Sequence, residues 1–495
     1  MRQDSESAKI RVLRLRFGGL LLATLAGMAL LMVWWPGPVP AGGTEPVTVC
    51  LGEGLPAVTL AVNGAYELKD AAGGQIVTTL EPGRELTVRF ADGLEPVLND
   101  GSALPRRFSG LVLSPLPPPR GLTAWGLGEV PAQGELFGTN GAGEVLPLPG
   151  ERRYVWTADG PRTWWAPSVP LVSVNIGEWQ RRYRGEIILQ ATPEGIMVLN
   201  RLPLEEYLYG VVANEMPSWW PLEALKAQAV AARTYAVRRT QAPRVKTWDQ
   251  TPLKVVFTAY GDQRDQVYKG FDSEAPATTR AVQETAGLVL TYRGRPIIAA
   301  YHASSGGVTE DVADVWKTPE GDETRAYLLA HQDPFDRLGP ENPSRGPQAD
   351  EGNPHYGWVV TMTAGELAAR LREKGYPFAT VTGIQVAAHT ASGARVKSLR
   401  VDGTDDQGRP VSQTIGQLAD QVRMLLGLKS AYFSIEPEYD AGGKLVRVAF
   451  RGQGWGHGVG MSQWGALGLA RKGSTFREIL EYYYTDAVRL ERYGP

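Results

Sequence analysis

The chain has 495 residues, enough for two to four domains of ordinary size. Its 51 basic and 53 acidic residues leave a formal net charge of -2, which excludes a nucleic-acid coat or a polybasic membrane binder, both of which need a cationic excess. A single cysteine, Cys50, excludes a disulfide framework and any Cys-rich zinc module, and five histidines leave little room for a multi-histidine metal site.

In chain order, Lys9, Arg11, Arg14 and Arg16 precede an uncharged apolar run from Phe17 to Trp35. At helical rise such a run spans about 28 Å, close to the hydrocarbon thickness of a bilayer. The basic flank predicts that residues 1–16 are a cytoplasmic tail, that 17–35 form a single transmembrane anchor, and that the remainder is exported. A signal peptide cut after Val39-Pro40-Ala41 is the competitor, and the length of the run favours the anchor. In both cases the working part lies outside the membrane.

Residues 36–46 read as a Pro/Gly/Ala linker, and 47–170 as a β-rich module. Val58 to Val62 runs into the turn pair Asn63-Gly64, and Glu85 to Phe90 alternates polar and apolar before Asp92-Gly93. Pro117-Pro118-Pro119 marks a stiff break, and the Gly-, Pro- and Trp-rich stretch that follows carries no clear element. Cys50 reads as a plain buried thiol.

Residues 171–495 carry the chemistry, as a mixed α+β domain with a substrate cleft. Arg184 to Leu189 and Ile196 to Asn200 read as paired strands. Then the period changes: Leu204, Leu208, Val211, Val212 and Glu215 recur at helical spacing, between Pro203 in the first turn and Pro217 after the last. Glu215 therefore falls on the apolar stripe, in the final turn. Burial and the negative end of the helix dipole both disfavour its charge and push its pKa up, as a general acid near neutral pH requires. A glutamate reaching solvent from a frayed helix end is the alternative. A second helix, from Pro221 to about Arg239, is narrow and Ala-rich, so Gln228, Arg233, Thr234 and Tyr235 stand out among small neighbours. A buried Arg233 needs a partner, either Glu215 or a ligand group, unless it belongs to a structural network.

These residues resemble a known family. Leu204-Glu205-Glu206-Tyr207 through Asn214-Glu215-Met216-Pro217, followed by Lys226 to Tyr235, is similar to the signature of the stage II sporulation protein D / LytB family. Tyr301-His302-Ala303-Ser304-Ser305-Gly306-Gly307 resembles its central motif, and Gly452 to Ala466 its C-terminal one. The resemblance covers roughly Val172 to Tyr484. It implies an exported lytic transglycosylase that cleaves between N-acetylmuramic acid and N-acetylglucosamine and leaves 1,6-anhydro ends, with Glu215 as the acid/base. Partners expected on the same ground are peptidoglycan glycan strands and another wall hydrolase such as an amidase; no nucleic acid is expected. A non-catalytic wall-binding or autolysin-modifying protein is the alternative. A hydrolase leaving reducing ends would need a second carboxylate, for which Glu310, Asp311 and Asp314 are the candidates.

In the C-terminal motif glycine occupies 452, 454, 456, 458 and 460. An extended chain would place all five on one face, with Trp455 and His457 on the other, suited to sugar stacking and hydrogen bonding. Their spacing fits neither a dinucleotide fingerprint nor a P-loop. His302 precedes a turn-prone polar loop. Some members of the resembled family bind zinc here through cysteines; this chain has Ser304 and Ser305, so no metal and no cofactor is expected. The expected substrate contacts are thus Arg233, Gln228, Tyr235, His302, Trp455 and His457. Residues 319–354 read as a long surface loop, with His331 and His355 incidental to the site. Thr475 and Glu478 predict a capping box opening a helix from Phe476 to Tyr484.

Overall fold

The computed structural model describes residues 46–493 except 105, 117–136, 140–144, 148–149, 158–159, 168–169, 250, 319–320, 338–351 and 486–487. The expected tail, membrane helix and nearly all of the linker lie outside the described residues. Among the described residues, no helix is long and apolar enough to cross a membrane.

Alternation of apolar and polar residues builds a first body of two sheets. Its strands are β1 (Val47–Leu55), β2 (Ala57–Val62), β3 (Tyr66–Asp70), β4 (Ile76–Leu80), β5 (Glu85–Phe90), β6 (Leu94–Leu98), β7 (Gly110–Pro115), β8 (Val172–Ile176), β9 (Trp179–Tyr183), β10 (Glu186–Thr192), β11 (Gly195–Leu202) and the short β12 (Ala259–Tyr260). One sheet runs β12-β1-β11-β10-β7-β3-β4, the other β9-β8-β2-β5-β6. Antiparallel pairing of β2 with β5 sets Val58 opposite Val88 and Leu60 opposite Leu86, all four fully or almost fully buried. On the other face of the same pair, the Thr59 and Thr87 hydroxyls meet at 3.1 Å. Strands from both sides of residue 170 enter both sheets. The reason lies in β11, which is buried along almost its whole length and needs a neighbour at each edge; β10 supplies one and β1, far earlier in the chain, the other. Cys50 sits inside β1, buried, and burial pushes its thiol up to about 12.

The second body is helical. It contains α1 (Leu204–Glu215), α2 (Leu222–Gln241) and α3 (Pro276–Glu284), followed by the single turn α4 (Val312–Val315). Pro203 stands at the N-cap of α1 with Glu205 and Glu206 in its first turn, and Met216 turns extended before Pro217 to end it. α2 is buried almost throughout its length, its alanines allowing close approach. The third body, residues 358–452, has its own apolar core around Leu367, Leu399, Val401, Leu426 and Phe450. It holds α5 (Ala364–Glu373), α6 (Ala419–Leu426) and two three-stranded sheets. The chain then returns to the helical body as α7 (Gln463–Arg471) and α8 (Phe476–Tyr484), the latter opened by the expected Thr475/Glu478 capping box.

Two expectations change. The glycine run is not an extended strand. The strand ends at Gly452, beyond which an isolated bridge joins Trp455 to Ser304, and Gly454, Gly456, Gly458 and Gly460 have φ of 79°, 108°, 87° and 69°. Such angles are closed to L side chains at low cost, so the run curls through a narrow gap: a Cβ on Gly454 would lie 2.8 Å from the Ser304 carbonyl oxygen. The stretch 319–354 is not all surface loop either. Tyr327, Leu328, Asp333 and Asp336 are buried, and Asp336 is tied to the 304–306 turn.

Candidate active site

Glu215 ends α1 half-buried, and three other segments converge on its carboxyl. The Val267 N–H donates to Oε1 at 2.9 Å, and Gln463 Nε2 at the start of α7 donates to Oε2 at 3.1 Å. Tyr301 donates its hydroxyl as well. That hydroxyl accepts from Gln266 Nε2 at 3.0 Å, and the Gln266 carbonyl accepts from Tyr207 at 3.1 Å, so a relay of neutral groups stands behind the acid. Among the described residues Glu215 makes no ion pair. Desolvation pushes its pKa above the usual carboxylate range, and the three hydrogen bonds pull it part of the way back. The helix C-terminus adds to the upward push. Tyr301, also desolvated and beside Glu215, is held well above the ordinary phenol range and stays a donor.

The residues expected on α2 part company. Gln228 is fully buried next to this cluster: its Oε1 takes a long 3.4 Å contact from Gln463, and its Nε2 has no protein partner. Arg233 faces elsewhere. Nε and Nη2 bind Glu205 at 2.7 and 2.8 Å, and the remaining donors go to Thr285 and to the Val282 and Leu288 carbonyls. All five N–H groups are thereby used, so none is left for Glu215 or a sugar. Glu205 precedes Glu215 by ten positions on α1, about 15 Å along the axis. Tyr235 donates to Asp265 at 2.7 Å, a carboxylate that Arg244 also grips in two bonds. The pair buttresses the 261–268 loop that delivers Gln266 and Val267.

His302 and His457 are paired behind Tyr301, ring centroids 5.3 Å apart. His302 Nδ1 donates to the Val459 carbonyl at 3.1 Å, leaving a buried Nε2 with no protein partner; burial drives its pKa well down, so the ring is neutral. His457 accepts from the Val459 N–H at 3.0 Å and is bonded on its other nitrogen to the Tyr301 carbonyl, while burial brings it down to about 4. It therefore braces the strand that presents Tyr301. Trp455 alone of the set is open, 42 % exposed.

Around the Ser304–Ser305 turn the polar groups satisfy one another. Asp336 accepts from the Ser304 and Ser462 hydroxyls and the Ser305 and Gly306 N–H groups, and Asp333 from Ser305 and Tyr483. Among the described residues no group of three or more His, Cys, Asp or Glu side chains is placed to hold a metal ion. The three candidate second carboxylates are each engaged: Glu310 with Arg395, Thr390 and Ser392, Asp311 with Arg325 and the α4 N-terminus, Asp314 with Lys397. Tyr301 and Gln463 lie inside the motifs already quoted, yet nothing in their spacing from Glu215 singles them out. Val267 contributes only its backbone and leaves no sequence signal.

Residues 192–292 match the family model described as stage II sporulation protein, and 344–460 match a domain of unknown function, DUF8618, which overlaps the third body. The stage II sporulation protein D of Bacillus subtilis is 32% identical over 317 residues, covering 61% of this chain and 80% of that protein. Its counterpart in Bacillus amyloliquefaciens is 31% identical over 58% of this chain and 74% of its own length. An amidase enhancer of Bacillus subtilis is 29% identical over 56% of this chain, but only 39% of that longer protein is spanned. The chain belongs to the stage II sporulation protein D family.

Proposed function

We propose that the protein is an exported peptidoglycan lytic transglycosylase, held to the membrane by residues 17–35, that cuts between N-acetylmuramic acid and N-acetylglucosamine and leaves 1,6-anhydro ends. One observation carries this reading: the Glu215 carboxyl is held by neutral donors, with no cation beside it among the described residues, and its pKa is raised. Such a group keeps its proton to higher pH than a solvated carboxylate and can give it up in the reaction. Glu215 protonates the glycosidic oxygen as the bond to C1 breaks. The 6-hydroxyl of the same sugar then attacks C1 and returns its proton to the carboxylate. A single carboxyl serves both halves, whereas hydrolysis calls on a second to activate water or trap the sugar. Tyr301, Gln463 and Val267 aim the carboxyl. The open Trp455 ring is the group offered to the sugar, while Gln228 Nε2 and His302 Nε2 are buried polar atoms without a partner among the described residues. Arg233, Tyr235 and His457 act through their neighbours.

Purified protein on isolated glycan strands, with the new ends read by mass spectrometry, tests this. Anhydro ends are expected, falling at least about a hundredfold in Glu215→Gln. Reducing ends would mean hydrolysis and a second carboxylate. A second reading, a non-catalytic wall-binding protein that works with an amidase, draws on the likeness to the amidase enhancer. It predicts strand binding, no new ends in either protein, and a faster amidase on addition of the chain.

A further inference from the structure

Asp336 lies in none of the sequence motifs, in a stretch that reads as loop, yet it is fully buried. Its Oδ1 accepts from the Ser462 hydroxyl at 2.7 Å and from the Ser305 N–H at 3.1 Å. Its Oδ2 accepts from the Ser304 hydroxyl at 2.7 Å, the Gly306 N–H at 2.9 Å and the Asn353 amide at 3.2 Å. A carboxylate offers about four lone-pair sites, so these donors occupy it and leave none for a ligand.

Two of the segments it binds are those that reach Glu215. Tyr301–His302 and Met461–Ser462 pair as parallel strands of two residues each, with Tyr301 beside Met461 and His302 beside Ser462. Tyr301 gives its hydroxyl to Glu215, and Gln463, the residue after Ser462, gives its amide. The main chain contributes one bond from Met461 to the Ala300 carbonyl and one from Trp464 to the Ala303 carbonyl. That is a short ladder for holding two side chains at hydrogen-bond distance from one carboxyl. Asp336 bridges the same two segments through side chains, one oxygen on Ser462 and the other on Ser304. Its charged neighbours act on the turn: Asp333 accepts from the Ser305 hydroxyl, and Arg395 donates to the Ser305 carbonyl. Among the described residues neither of them bonds to Ser462 or Gln463.

We propose that Asp336 is a positioning residue for the acid: by clamping the Ser304 turn to Ser462, it sets the Tyr301 hydroxyl and the Gln463 amide on Glu215. The proposal rests on the reading of Glu215 as the acid, but its first test needs no turnover. In the full chain, the Glu215 carboxyl is titrated by difference infrared spectroscopy, each variant read against its own Glu215→Gln counterpart. Tyr301 and Gln463 both favour the charged carboxylate, so loosening them raises the midpoint. Asp336→Asn turns an amide N–H toward one of the two main-chain donors and is expected to move Glu215 up by about 0.5–1 in pH. Ser304→Ala removes one arm of the clamp and leaves the carboxylate, so a smaller rise in the same direction is expected. The sign separates this from a field effect, because deleting a negative charge without moving the donors would lower the midpoint. In a Tyr301→Phe/Gln463→Leu background, Asp336→Asn should add no shift. An unmoved or lowered midpoint in folded Asp336→Asn and Ser304→Ala overturns the clamp, as does a full shift in the double-variant background. If Asp336→Asn does not fold, Ser304→Ala decides alone. On glycan strands, Asp336→Asn should lower kcat about tenfold and leave KM nearly unchanged, whereas a raised KM at constant kcat would count against the proposal. Failure of the wild-type chain to cleave is a separate result: it would sink the acid, and the titration would still decide the clamp.

Discussion

Glu215 and Arg233 lie on the same pair of helices and show how differently a half-buried and a fully buried ionisable group can be used. Arg233 has every donor matched to Glu205, Thr285 or a carbonyl, so it holds α1, α2 and the end of α3 together. Arg233→Met should cost roughly 3–5 kcal/mol, because Glu205 and two carbonyls lose their partner, and chemical denaturation would show it. Replacing Glu205 by Leu in the same molecule should recover part of that loss. Glu215, by contrast, has no cation partner among the described residues. Its raised pKa means that kcat/KM should fall as pH rises through that value, since the protonated form is the acid. Tyr301→Phe removes a hydrogen bond that favours the carboxylate, so the alkaline limb of the profile should move to higher pH while the maximum rate drops. A limb that stays in place would deny Tyr301 its contact with the acid. The position of Glu215 on an apolar stripe was readable from spacing alone. The partner of Arg233 was not, because turn counting along α2 does not reveal which end of α1 crosses it.

At the scale of elements, local chemistry was the more legible. Pro203 and Pro217 bracket α1, and the Thr475/Glu478 box opens α8, because proline sterics and capping act within a few residues. The glycine run misled for a related reason: alternation suggests a strand, but whether a glycine uses negative or positive φ depends on what it must pass. Here it threads between the 302–306 turn and the buried guanidinium of Arg395. A Cβ on Gly458 would collide with that guanidinium, and one on Gly460 with the Ala300 carbonyl. Gly460→Ala should therefore lower the melting temperature markedly, combining backbone strain of about 1–3 kcal/mol with a clash against main chain. It should also weaken activity, because the run feeds directly into Gln463. Gly442→Ala, at an open hairpin tip, should do neither.

For the whole molecule, the described chain packs around three large apolar cores and a small fourth one around Cys50, Met197 and Phe257, and the polar Ser304–Ser305 turn is bound to the 333–336 segment by two buried carboxylates. Burial, then the neighbouring Asp336, raises Asp333 to about 7. An aspartate that titrates higher folded than unfolded gives stability that is full below the unfolded pKa and is lost as pH rises toward 7. Asp333→Asn mimics the neutral acid, so it should gain stability relative to the parent as pH is taken from about 4 to 8, which melting curves across that range would reveal. A constant difference would mean that Asp333 is ionised throughout.

The acid's surroundings have one more consequence. Glu215, Val267, Tyr301 and Gln463 come from four stretches spread over half the chain. Contacts so distant in sequence form late, after the loops between them have closed. A chain whose later segments have not yet folded has the glutamate but not the cradle around it. The site around Glu215 is thus assembled only once its last helices come to rest.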